Sequence, residues 1–245
     1  MAYVAAFYAA YEILRAFRHP SAHAAVARAR AIASSEAWVH LNFERALNTF
    51  TTAHPALAEV AGYYYATLHF WVTPVVLCWL WWRHRCHYRR WRTILAVATA
   101  VGLAAYWLVP VAPPRLALHG MTDTLVARNI LGAANPRGVT GLVDMYAAMP
   151  SLHVGWAFWV AIAVFNTSSR RRVRWLALIY PVLTTTAVVA TANHFVADAV
   201  AGVLLVLLAL AGVTVSSHIR RVTHRPRAPS FSAGSHLGLP SRPKP

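Results

Sequence analysis

Residues 195–217 read FVADAVAGVLLVLLALAGVTVSS, a run whose one charged residue, Asp198, stands close to its beginning. About 20 apolar residues are what a helix needs to cross ~30 Å of hydrocarbon. The stretch is therefore read as a membrane span, and the rest of the chain is read outward from it. Residues 173–192 and 151–167 precede it as two more apolar blocks. Further upstream lie 93–110, 57–82 and a shorter block at 2–17 that carries Glu12 and Arg15. The expected fold is all-α: a polytopic membrane bundle of about six transmembrane helices.

Composition agrees. The 245 residues are 58% hydrophobic and 12% charged, about half the charged fraction of a typical soluble domain. The charges sit between the apolar blocks. Trp79, Trp81 and Trp82 close the block at 57–82, where tryptophan anchors a span at the interface. The chain is accordingly divided into three. Residues 1–56 hold a first membrane helix, with a polar, alanine-rich stretch at 20–56 read as amphipathic helices on the membrane or the bundle. Residues 57–217 form a transmembrane catalytic core. Residues 218–245 form a basic, Pro/Ser-rich tail read as disordered and cytoplasmic. The start, Met1 to Ala10, lacks a basic n-region and is read as a retained helix rather than a signal peptide.

The net charge is +16, from 22 arginines and one lysine. Nucleic acid is discounted as a partner, because the arginines flank apolar blocks, where the positive-inside bias puts them. Anionic lipids are the expected partner instead. Arginine and lysine concentrate in 83–92, in 168–174 and after 217. Only Arg115, Arg128 and Arg137 fall in the long 111–150 connection. Alternating spans then place both termini in the cytoplasm and the 111–150 connection outside. Arginine-rich, lysine-poor usage fits a bacterial plasma membrane protein. Cys78 and Cys86 fit neither a disulfide framework nor a metal site.

Titratable groups at membrane depth are costly and carry a functional hypothesis. Met149-Pro150-Ser151-Leu152-His153 opens one block. Proline suits a first helical turn, and the N–H groups from Ser151 to His153 would then make an anion site at the helix end. His153 beside it is a candidate proton donor. Asn193-His194-Phe195-Val196-Ala197-Asp198 joins the last two blocks. His194 and Asp198 share a helical face at this spacing, and a carboxylate on one ring nitrogen would free the other as nucleophile. Pro113-Pro114-Arg115 supplies a fork-shaped cation suited to phosphate. Taken singly, each also admits a structural reading: an interfacial histidine, a His–Asp pair joining two helices, an arginine among headgroups. Together they fall on one side of the membrane, by a topology argument that made no use of them. Two histidines and one aspartate lack the H-x-x-x-H or cysteine-pair spacing of a zinc site, so neither a metal nor another cofactor is expected.

These residues resemble the type 2 phosphatidic acid phosphatase superfamily. Pro150-Ser151-Leu152-His153 is similar to its P-S-x-H motif, His194 with Asp198 to its H-x-x-x-D motif, and Pro113-Pro114-Arg115 to the R-P region of its first motif. The segment Tyr146 to His153 and Asn193-His194 resemble the branch containing inositol phosphorylceramide synthases and their bacterial relatives. The resemblance implies that His194 attacks phosphorus, Asp198 orients it, His153 protonates the leaving alkoxide, and Arg115 with groups near Ser151 holds the phosphate. Two of the superfamily's usual contacts differ: Leu108 stands where the first motif has lysine, and Ala187-Val188 where the third has Ser-Arg. Arg137, Arg128 and Asn193 are the candidate replacements.

The expected function is a lipid phosphatase or phosphotransferase working through a phosphohistidine on a membrane lipid phosphate at the extracytoplasmic face. An inositolphosphotransferase-like acceptor reaction is one form of it. Two competitors differ in class. An intramembrane serine protease using Ser151 and His194 lacks a G-x-S-x-G-like turn. A non-catalytic lipid-headgroup binding or transport protein would use the same anion site without turnover.

Overall fold

A computed structural model describes residues 21–135 and 145–223. The expected span at 2–17, Arg137 and the tail after 223 lie outside these residues. What is described is helical and contains no strand; Val111 and Ala147 alone form a parallel bridge. The helices are α1 (Ala22–Trp38), α2 (Glu44–Ala53), α3 (Pro55–Arg83), α4 (Arg85–Leu108), the short α5 (Pro114–Ala117) and α6 (Thr124–Ala127), then α7 (Leu152–Thr167), α8 (Arg171–Ala190) and α9 (Val196–Thr223).

By length and apolarity, α4, α8 and residues 196–219 of α9 are fit to cross a membrane, and α7 is a shorter apolar helix. At 29 residues α3 has the length, but it carries Glu59, His69 and many aromatic residues. Leu204, Leu208, Ile179, Val182 and Leu183 point outward on α8 and α9, as suits helices whose solvent is lipid. The arginine-rich segment at 83–92 is not the loop its charge suggests. The chain breaks only around His84, and α4 already begins at Arg85. Arginine is a good helix former, so the helix runs on past the membrane-facing part.

At the centre, α7 packs against α3, α4, α8 and α9. Its crossing with α9 is made by two glycines. A Cβ on Gly202 would stand 2.2 Å from the Ser151 carbonyl oxygen, and one on Gly155 3.1 Å from the Gly202 carbonyl oxygen. Only small residues let two backbones come this close, and the crossing sets the start of α7 beside the start of α9. The apolar core toward the α3–α4 turn joins Leu80, Trp91, Ile94, Trp159 and Val206. A second core packs Ala25 and Ala29 of α1 against Val111, Ala112, Ala148 and Phe195. α1 and the 111–117 segment are thereby fixed at the same end of the bundle as the α8–α9 corner.

Candidate active site

The site forms where three chain segments meet: the first turn of α7, the corner between α8 and α9, and the 113–124 connection. His194 follows α8 by a few residues, after a left-handed Ala192 at φ 57° that turns the chain sharply toward α9. Only 3% of His194 is exposed. Its Nδ1 lies 2.8 Å from the Ala148 carbonyl oxygen and 3.4 Å from Asp198 Oδ2. A carbonyl oxygen can only accept, so Nδ1 carries the proton and Nε2 keeps its lone pair. The tautomer expected from the His-Asp spacing thus arises, with a backbone carbonyl as the nearer partner and the carboxylate as the second.

Asp198 is fully buried. Its Oδ2 accepts the Phe195 N–H at 2.9 Å, the reach of a third-position acid back to the residue capping its own helix. Its Oδ1 has no hydrogen-bond partner among the described residues. A carboxyl group beside the imidazole is placed to stabilise the positive charge a histidine gains when it takes on an electrophile.

The start of α7 differs from the sequence expectation. Pro150 lies before the helix rather than in its first turn, and Ser151 caps it, accepting the Val154 N–H on its hydroxyl at 3.4 Å. The Ser151 N–H donates to the Asp198 carbonyl at 2.9 Å, and the Leu152 N–H to the Tyr106 hydroxyl at 3.2 Å. Two of the three N–H groups expected to face an anion are therefore spent on protein oxygens. Buried N–H groups seldom go unpaired, and here α9 supplies the partner of the first and Tyr106 of α4 that of the second. Ser151 itself is fully buried.

His153 lies on the inner side of α7, its ring centroid 5.6 Å from that of His194. Tyr65 stacks on it at 4.4 Å, and His69 meets it edge-on at 4.2 Å. Tyr65 and His69 are four residues apart on one face of α3; a tyrosine and a histidine at that spacing within a span were the signal available in the sequence. His69 Nδ1 is buried without a hydrogen-bond partner among the described residues.

Arg115 is held to the same corner. Its N–H donates to the Ala192 carbonyl and its Nη1 to Asn193 Oδ1, while Nε pairs with Asp123 Oδ2 at 2.9 Å. Asp123, like Tyr65 and His69, is not singled out by the sequence; its other oxygen caps α6 through the Leu125 and Val126 N–H groups. Asn193 is 3% exposed, and its amide nitrogen donates to the carbonyl and hydroxyl oxygens of Thr191. It therefore acts as the bracket for Arg115. Arg128 donates to the Thr52 carbonyl at 3.3 Å and ties the connection to α2. Ala187 and Val188, at the positions of the superfamily's usual Ser-Arg pair, are buried apolar core.

A sequence model of the PAP2 superfamily matches residues 30–212. The chain belongs to the PAP2 superfamily. No curated protein and no solved structure matches it significantly. The PAP2 match runs from inside α1 to well along α9 and spans every described residue of the site. Membership assigns the chain to a superfamily of phosphatases and phosphotransferases, and the apolar helices make it a membrane protein.

Proposed function

We propose that this PAP2 protein is a lipid phosphatase or phosphotransferase that works by double displacement through a phosphohistidine. The observation that carries the reading is the protonation pattern of His194. Its Nδ1–H is held by a backbone carbonyl with a buried carboxylate behind it, leaving Nε2 as a lone pair near a second histidine. His194 Nε2 forms a bond to phosphorus as the bond to the leaving alkoxide breaks. His153 gives that alkoxide its proton. Water or an alcohol then attacks the phosphohistidine, passing its proton to His153 and releasing His194. Asp198 stabilises the cationic ring throughout. Arg115, aimed by Asn193 and Asp123, neutralises the phosphate oxygens. In this reading Ser151 contributes by fixing the start of α7.

The substrate is a lipid phosphate or phosphodiester, and an inositolphosphotransferase-like reaction with a hydroxylated acceptor is the specific form favoured by the residues around His153. The charge pattern supports a plasma membrane setting with both termini cytoplasmic and the site extracytoplasmic. The test is inorganic phosphate release from a panel of lipid phosphates in detergent. Wild type should release phosphate, and His194→Ala should lose turnover by ~10⁴-fold or more while folding normally. Full activity in the variant would refute the mechanism. Lipid binding without turnover in wild type, under any acceptor, would point instead to a headgroup-binding or transport protein.

A further inference from the structure

The α8–α9 corner, which carries Asn193 and His194, is gripped by the two N-terminal helices. Glu36, near the end of α1, accepts the Ala197 N–H at 2.6 Å. Glu44, the first residue of α2, reaches the Val196 N–H at 3.5 Å. Asp198 takes the Phe195 N–H. Three consecutive N–H groups at the start of α9 thus meet three different carboxyl groups. Those N–H groups have no partner within the helix, and the positive end of the helix dipole favours acidic groups there. One turn along α2 from Glu44, Asn48 donates to the Ala190 carbonyl at 2.9 Å and the Thr122 carbonyl at 3.1 Å, and accepts the Thr122 N–H at 2.8 Å. One face of α2 therefore holds the last turn of α8 and the first turn of α9 together. Glu36, Glu44 and Asn48 are all buried.

Glu36 shares this helix end with the carboxyl groups of Glu44 and Asp198. Burial first, and then a hydrogen bond with Glu44, push Glu36 up to about 8. A protonated Glu36 has both groups the geometry uses. Its carbonyl-type oxygen accepts the Ala197 N–H, and its O–H donates to Glu44.

We propose that Glu36 and Glu44 are positioning residues for the reaction: they clamp the first turn of α9 and so aim Nε2 of His194. The proposal rests on the phosphoryl-transfer reading above. Neither glutamate touches reacting atoms. The helices at 21–53 are, on this view, part of the active-site frame.

The test uses purified full-length protein with leucine and glutamine at each position. Phosphate release from phosphatidic acid in mixed micelles is measured alongside amide hydrogen exchange of a peptide covering 193–199. Glu36→Leu and Glu44→Leu should lower kcat on the order of 100-fold, with KM within about twofold, because a nucleophile displaced by about 1 Å loses that much. Exchange at 193–199 should quicken in both. Glu36→Gln mimics the protonated acid and should keep kcat within about threefold of wild type, with normal exchange. Unchanged exchange in the leucine variants overturns the clamp whatever their rates. A Glu36→Gln variant as impaired as Glu36→Leu also overturns it. If the leucine variants do not fold, Glu36→Gln decides alone: kcat within about threefold of wild type with normal exchange supports the clamp, and a loss on the order of 100-fold overturns it. If wild type releases no phosphate, the reaction reading fails separately. The clamp is then judged on exchange alone, with quickened exchange supporting it and unchanged exchange overturning it.

Discussion

Toward the α3–α4 turn the bundle is held by Leu80, Trp91, Ile94, Trp159 and Val206, with a hydrogen bond from the Trp159 indole to the Trp91 carbonyl. Toward the α8–α9 corner the buried groups include Glu36, Glu44, Asn48, Ser151, Asn193, His194 and Asp198. The same two helices, α7 and α9, contribute to both. At the apolar end the requirement is volume and shape, which several combinations of side chains can meet. At the polar end each buried donor or acceptor demands a particular partner, so the geometry is over-determined. On the proposed mechanism, the difference assigns stability to one end and aim to the other.

That division can be broken experimentally. Trp159→Ala removes a fully buried indole and should cost about 3–5 kcal/mol of stability, measured as unfolding in detergent. The kcat of the fraction that remains folded should stay near wild type; a specific loss of kcat would show that the apolar end also aims the site. Gly202→Ala places a methyl group against the Ser151 carbonyl oxygen and must part α7 from α9. Stability should drop by about 1–3 kcal/mol, and phosphate release should fall on the order of 100-fold. A variant with normal activity would mean that the crossing does not set the distance between His153 and His194.

The gentlest perturbation is pH. Glu36, facing Glu44, Asp198 and the Ala197 N–H, has its folded pKa raised from the usual carboxyl range to about 8. The folded state therefore holds a proton that the unfolded chain has lost. The stability this contributes is full below the unfolded pKa and disappears as pH rises through about 8. The melting temperature in detergent should fall by a few degrees between about pH 5 and pH 8, and Glu36→Gln should flatten that slope. An equal slope in the variant would place the titration elsewhere.

Much of this was legible in the sequence. The helices at 152–167, 171–190 and 196–223 begin or end within a few residues of the apolar blocks that announce them, apart from the polar extension of α9. His153, His194, Asp198 and Arg115 are readable because charged and titratable groups are rare in apolar surroundings and stand out. The start of α7 was misread because proline at a first helical turn is a local rule. The spent N–H groups of Ser151 and Leu152 depend on Asp198 and Tyr106, 47 and 46 positions away. Asp123 was missed because an aspartate in a long connection looks like an ordinary solvated turn residue.

The sequence by itself determined the helices, their lipid-facing character and the residue types able to handle a phosphate, since apolar length, arginine placement and motif spacing are local properties of the chain. The tertiary structure alone decided which oxygen fixes the His194 tautomer, which helix-end N–H groups are already used, and that α1 and α2 grip the start of α9. Those outcomes depend on backbone carbonyls, which every residue has, and on pairs such as Glu36 with Ala197, 161 positions apart. A contact of that kind leaves no periodicity in the chain and exists only once the helices have packed.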